Sequence, residues 1–288
     1  MKSTWTQTFR RLAAACAVGG STALSSAMAY AINASDNATN PAYADGWQAG
    51  DNGGTGFTPW NFDGTTAPSI HGVDSASPFN DIGTSWRMAI NPDGLPRAGR
   101  GFAPLQVGQT LQMTIDNPAV HEFFKGYIIR LTSGGGNICY GGAPCTPGTT
   151  PMERLGVYTF EYFTNGNWLV SDLADDNAPT TLFDVGTAAG GMQISVKLTG
   201  PETYQLTMDP LGAGATYTKS GSLAKTGAGP IDWLEFVFFN TPTNPNAATD
   251  LYISSMAIVP EPGGATLLVM GGGALVGAVG RHRSKSRE

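Results

Sequence analysis

Met192-Gln193-Ile194-Ser195-Val196-Lys197-Leu198-Thr199, the turn Gly200-Pro201-Glu202 and Thr203-Tyr204-Gln205-Leu206-Thr207-Met208 form one continuous stretch of the 288-residue chain. Apolar residues occupy every second position of both runs: Met192, Ile194, Val196 and Leu198, then Tyr204, Leu206 and Met208. Successive side chains of a strand point to opposite faces, so this period of two predicts an antiparallel hairpin with one buried and one wet face.

Working outward, Trp233 to Phe239 is apolar on both sides, as expected of a central strand buried between layers, and Asp250 to Ile258 supplies a last strand. Upstream, Trp86, Met88 and Ile90 share one face of a run that stops at Asn91-Pro92-Asp93-Gly94. Gln109 to Ile115 turns Leu111, Met113 and Ile115 inward, and Tyr127, Ile129 and Leu131 repeat the pattern. Val157 to Phe163 and Trp168 to Val170 flank Thr164-Asn165-Gly166-Asn167, a hairpin signal because Asn-Gly tolerates the positive φ of short turns. With the opening segment, about ten strands result and no convincing globular helix. The expected fold is all-β: two packed antiparallel sheets over residues 32–258, a jelly-roll β-sandwich of the concanavalin-like kind. A solenoid is the alternative, but no fixed repeat period is present.

The two ends have a different character. Lys2, Arg10 and Arg11 precede the apolar run Leu12 to Leu24, and Ala29-Tyr30-Ala31 has the A-x-A form of a cleavage site at Ala29 and Ala31. Residues 1–31 therefore read as a signal peptide, with the Sec route preferred over the twin-arginine one. Nine basic residues face 21 acidic ones between Asp36 and Glu261, a net charge near −12. Such a balance opposes nucleic-acid binding and suits an exported, acidic domain. Cys16 leaves with the signal, so Cys139 and Cys145 remain as an even pair in an oxidising compartment. Closing their short loop as a disulfide contributes about 2 to 2.5 kcal/mol on the chain-entropy formula. A thiol nucleophile or half a zinc site is the functional alternative, but His71 and His121 lack ligand spacing.

The C-terminus, residues 259–288, has three blocks: Val259-Pro260-Glu261-Pro262, the charge-free run 263–280, and a tail 281–288 bearing Arg281, Arg283, Lys285 and Arg287. As a helix the middle block spans about 27 Å, enough for a thin bilayer, and the four cations hold its end on the cytoplasmic side. An ordinary membrane anchor is one reading. In this order and place, Pro260, Glu261 and Pro262, the helix and the basic tail resemble the sorting signal of the PEP-CTERM proteins. That resemblance implies an exosortase partner, a Gram-negative host that makes extracellular polysaccharide, transient anchoring in the inner membrane, and delivery to the cell surface or extracellular matrix. It implies sorting and no activity. Residues 33–64 also resemble the first segment of β-sandwich proteins that often carry the same tail.

Several residues are candidates for chemistry. Tyr43, Trp47, Phe57 and Trp60 lie among glycines and are candidate sugar-stacking platforms, with burial in the core as the competing reading. Asp45, Asp51 and Asn52, and Asp172, Asp175, Asp176 and Asn177, offer the oxygen ligands that calcium takes; solvated turns explain them equally. Pro230-Ile231-Asp232-Trp233-Leu234-Glu235 resembles the Glu-x-Asp-x-x-Glu strand of sandwich glycosidases related to laminarinase, whose outer glutamates are nucleophile and acid. Pro230 stands at the nucleophile position and can neither attack nor donate a proton, so the string reads as structural. Gly134-Gly135-Gly136 lacks the Lys-Ser or Lys-Thr of a phosphate loop, and no serine stands in a G-x-S-x-G elbow.

The sequence thus points to a non-enzymatic, exported protein, structural, adhesive or carbohydrate-binding, with extracellular polysaccharide as partner and no cofactor beyond a calcium option. The alternatives are a polysaccharide hydrolase or lyase, needing a pair among Glu153, Glu161, Glu202 and Glu235, and a calcium-dependent adhesin. Replacing Pro260, Glu261 and Pro262 by alanine is expected to leave a full-length, membrane-held form on immunoblots of fractionated cells; unchanged processing would overturn the sorting reading.

Overall fold

The computed structural model describes residues 33–63, 70–75, 83–89, 97–116, 126–135, 152–159, 168–172, 181–183, 190–212, 214–224, 229–239 and 250–260. The described chain forms β1 Ala34–Asn37, a 3-10 turn Pro41–Tyr43, β2 Asn61–Asp63, β3 Ile70–Asp74, β4 Ser85–Ala89, β5 Arg97–Gly101, β6 Thr110–Asp116 and β7 Gly126–Ser133. There follow β8 Met152–Thr159, β9 Trp168–Ser171, β10 Thr181–Phe183, β11 Met192–Gly200, β12 Thr203–Pro210, β13 Tyr217–Ser222, β14 Trp233–Phe239 and β15 Leu251–Val259. The signal peptide expected at 1–31, Cys139, Cys145, and the tail from Glu261 lie outside the described residues. Among those described, no helix is long and apolar enough to cross a membrane.

The fold is all-β. One sheet runs β13-β12-β11-β6-β15-β4-β3, with β1 also on β15; the other runs β10-β9-β8-β7-β14-β5-β2. All their pairings are antiparallel. The hairpin that decides the fold has the expected register, with Ile194 opposite Met208, Val196 opposite Leu206 and Leu198 opposite Tyr204. Their alternation supplies one wall of a single core: Met192, Ile194, Val196, Tyr204, Leu206 and Met208 are all buried, as are Leu111, Met113 and Ile115 on the neighbouring β6. Ala98, Tyr127, Ile129, Leu131, Leu155, Leu234 and Phe236 of the second sheet belong to the same cluster, which makes the two sheets a sandwich. Burying each large apolar side chain contributes roughly 1.5–3 kcal/mol, so these facing rows hold the layers together.

Two details depart from simple alternation. On β15, Leu251 and Ile253 are buried, then Met256 and Ile258, because the register slips between Ile253 and Ser255. The extra residue of this bulge moves the inward set from odd to even positions without breaking the core. The slip also lets β15 serve two neighbours on one edge, pairing with β4 through Leu251 to Ile253 and with β1 through Ser255 to Ile258.

The second departure is polar. Asp36 on β1 and Arg100 on β5 belong to opposite sheets, have fully buried side chains, and meet at 2.5 Å between Oδ2 and Nη1. Arg100 also donates from Nε to the Thr58 carbonyl at 3.0 Å and from Nη2 to Asn52 Oδ1 at 2.7 Å. Its guanidinium lies 4.8 Å from the Phe57 ring centre and 4.6 Å from that of Trp60. The Tyr43 hydroxyl donates to Asp36 Oδ2 at 2.5 Å while accepting from Trp60 Nε1 and the Gly53 amide. Burial, and then the Asp36 carboxylate, push the Tyr43 hydroxyl up to about 12. Every member of this inter-sheet network is thereby satisfied, the condition under which a buried charge is tolerated.

Next to it, Trp47, Trp60 and Trp86 form an aromatic cluster, with Trp47 edge-on to Trp60 at 4.9 Å and Trp60 edge-on to Trp86 at 5.3 Å. His71 of β3 stacks on Phe62 of β2 at 3.9 Å, across the two sheets. Burial pushes the His71 imidazole down to about 4.

Two outcomes follow from these packings. Asp36→Asn leaves Arg100 buried without its counter-charge and is expected to cost about 3–5 kcal/mol in urea unfolding, whereas the paired replacement Asp36→Asn with Arg100→Met is expected to recover part of it. For His71, the unfolded chain binds a proton below about 6.5 and the folded one only below about 4. Stability therefore falls as pH drops through that window, by up to about 3 kcal/mol, and His71→Phe is expected to flatten that part of the profile of unfolding midpoint against pH.

Candidate functional site

The sequence-expected stacking residues are not on the surface. Tyr43, Trp47 and Trp60 are each 2% exposed and Phe57 is 5% exposed, so they pack the core and present no ring face to a sugar. Phe57, Trp60 and the Tyr43 hydroxyl enclose the Asp36–Arg100 pair, and Trp47 packs against Trp60 and Trp86 beside it.

The acidic clusters also have local duties. Asp51 Oδ2 accepts from the Gln48 amide at 2.7 Å, the Asp45 carbonyl accepts from the Gln48 side chain, and Asn52 binds Arg100. Asp172 is 2% exposed and accepts from the Tyr204 hydroxyl at 2.6 Å and from Lys219 at 2.9 Å, a second tie between the sheets. Asp175, Asp176 and Asn177 lie outside the described residues. Among the described residues, no group of three or more Asp, Glu, His or Cys converges as a metal site.

Of the carboxylates proposed for hydrolysis, Glu202 pairs with Arg154, whose side chain is buried and also donates to the Ala224 and Gly229 carbonyls. Glu161 lies outside the described residues. Glu153 and Glu235 come together. Glu153 on β8 and Glu235 on β14 flank β7, and both reach Arg130: Glu153 Oε2 lies 2.9 Å from Nε and Glu235 Oε2 3.9 Å from Nη1.

This arrangement follows from strand alternation. Leu234 and Phe236 of β14 point into the core, so Trp233, Glu235 and Val237 point to the outer face of the seven-stranded sheet. Ile129 and Leu131 of β7 do the same, which turns Ile128, Arg130 and Thr132 outward; Glu235 faces Arg130 in register. The outer face is buried over Ile128 and Val237, 4% and 0% exposed, and reaches solvent toward half-buried Trp233 and Glu153.

Trp233 stands in a space cleared by glycines. Its register partner on β5 is Gly101, and its indole leans over Gly99. A Cβ at Gly99 would meet Nε1 of the indole at 2.7 Å, one at Gly101 would meet Cε3 at 3.2 Å, and one at Gly135 would meet Cε3 at 2.2 Å. The Gly135 backbone is itself held in place. Gly134, with φ of +79° that favours glycine, donates its amide to Asp232 Oδ1 at 2.6 Å and accepts from the Thr132 hydroxyl at 2.7 Å. Asp232, the middle acid of the glycosidase-like string, thus anchors the loop that touches Trp233, and exposed Pro230 precedes the strand.

Chemically, this face offers a positioned indole beside hydroxyl and carboxylate oxygens. It does not offer a free acid and base, since both glutamates contact one guanidinium. A separate hollow of about 300 Å³, lined by Leu105, Val107, Leu198, Leu223 and Ile231 with Glu202 beside them, has few converging polar groups. The sequence contained one signal for Trp233, the glycines of Arg97-Ala98-Gly99-Arg100-Gly101, but nothing that places them beneath a residue more than 130 positions away.

No protein-family model matches the chain, and no curated protein matches it. Among solved structures, it is similar to lectin II from Ulex europaeus, at 10% identity over 75% of this chain and 96% of that one, TM-score 0.46. It is similar to a carbohydrate esterase from the Shiga toxin-encoding bacteriophage phi24B, at 12% identity over 70% and 90%, TM-score 0.45. The calcium-bound exoplasmic/lumenal domain of VIP36 is similar at 9% identity over 71% and 84%, TM-score 0.43.

Proposed function

We propose that this protein is an exported carbohydrate-binding protein of the cell envelope or polysaccharide matrix, built on a jelly roll of the concanavalin-like kind. In this reading the signal peptide 1–31 delivers it, residues 263–280 hold it in the inner membrane, and an exosortase processes it near Pro260-Glu261-Pro262. The observation that carries the binding role is Trp233: a half-buried indole on a sheet face, with three glycines against it and its neighbouring loop fixed by Asp232 and Thr132. The part of the ring that these glycines leave open is held rigidly, so the C–H face of a pyranose ring would stack on it at little entropic cost.

Hydrolysis is the second reading, favoured by Glu153 and Glu235 lying on one face with a single strand between them. A two-carboxylate mechanism needs one group free to give its proton to the leaving oxygen and the other free to attack or activate water. Sharing Arg130 engages both, so binding without turnover fits the geometry better.

The test is affinity electrophoresis of the purified protein through gels containing polysaccharides, with product analysis of the same polymers after incubation. Retardation without chain shortening is expected, and Trp233→Ala is expected to weaken it at least about tenfold, equivalent to about 1.4 kcal/mol. Retardation that Trp233→Ala leaves untouched removes this site, and release of shortened chains restores the hydrolase.

A further inference from the structure

We infer that the ligand of the Trp233 face is an uncharged glycan; this rests on the carbohydrate-binding role proposed above and specifies its substrate class. The face carries charges, but they are balanced and engaged. Arg97, Arg130, Glu153 and Glu235 are the charged side chains of described outward positions on β5, β7, β8 and β14, two of each sign, and each has a partner. Arg130 is held from both sides, by Glu153 at 2.9 Å and Glu235 at 3.9 Å, and its side chain is only 7% exposed.

An anionic polymer approaching Trp233 would find this guanidinium already neutralised and screened by two carboxylates. It would also approach a body of net charge near −12, which repels polyanions over a Debye length of about 8–10 Å. A cationic polymer would have to draw Glu153 or Glu235 away from Arg130, leaving a nearly buried guanidinium without its counter-charge. An uncharged sugar disturbs none of these pairs. It stacks on the indole, and its hydroxyls donate to oxygens that still have lone pairs, of which Glu153, with a side chain 20% exposed, is the most accessible. Binding of this kind releases no counterions, so it does not weaken with salt.

The same gels distinguish the outcomes when uncharged polymers (galactomannan, xyloglucan, a β-glucan) are run beside anionic ones (alginate, polygalacturonate) at low and high salt. Retardation by at least one uncharged polymer is expected, equal at both salt concentrations and lost in Trp233→Ala, whose folding is checked by its thermal transition. Glu153→Gln removes one of the two carboxylates that mask Arg130 and is expected to gain a salt-sensitive retardation by the anionic polymers of at least about threefold. Wild-type retardation by anionic polymers alone, abolished by salt, overturns the uncharged ligand while leaving carbohydrate binding intact. Retardation by no polymer of either class overturns both. A Glu153→Gln protein that gains nothing from anionic polymers overturns the masking of Arg130 as the origin of the selectivity.

Discussion

The ion pair between Asp36 and Arg100 constrains the rest of the described structure. It joins a short strand of one sheet to an inner strand of the other, with both side chains fully buried. Two charges in such a place are stable only if the remaining hydrogen-bonding groups are satisfied and water is kept out. The segment 40–60 supplies both. Tyr43 and Asn52 complete the hydrogen bonds, and Phe57 and Trp60 cover the guanidinium. A glycine is required where this segment crosses β1, since a Cβ at Gly54 would lie 2.1 Å from the Ser35 carbonyl oxygen. The aromatic richness of the opening segment is therefore explained by the pair it encloses.

The same logic, applied to the other face of the second sheet, yields the candidate site. Once Leu234 and Phe236 are committed to the core, Trp233 and Glu235 must point outward, and the register then brings Glu235 to Arg130 and Trp233 to Gly101. Buried ionic groups and glycine clearings recur on this face, but here they border solvent at Trp233 and Glu153. The charges of this face are paired across β8, β7 and β14, and the proposed binding of an uncharged ligand rests on that pairing.

Much of the fold was legible in the chain because alternation is a local property. The β11–β12 hairpin, β6 and β7 are announced by apolar residues at every second position, and β14 and β15 by runs rich in apolar residues; the positions of all these strands agree with the structure to within one or two residues. The strand expected from Val157 begins instead at Met152, because Glu153 and Arg154 interrupt the apolar pattern while the backbone continues the sheet. β2, β3, β5, β10 and β13 are not announced by such a pattern, and β5 and β13 show two of the reasons. β5 reads Arg-Ala-Gly-Arg-Gly and places a charged residue where the core expects an apolar one; β13, Tyr-Thr-Lys-Ser-Gly-Ser, lies at a sheet edge where burial imposes little pattern.

The sequence by itself determined the all-β class, the period of the strands that line the core, and the three-block tail that resembles a sorting signal, because each is written in neighbouring residues. Which aromatics face solvent was decided only by the tertiary structure. Tyr43, Trp47 and Trp60 looked available beside their glycines and are core; Trp233 looked like core and partly reaches solvent. Exposure of a side chain depends on what stands across from it, and what stands across from Trp233 is Gly99, Gly101 and Gly135, brought there by strand register and a loop that no local pattern encodes.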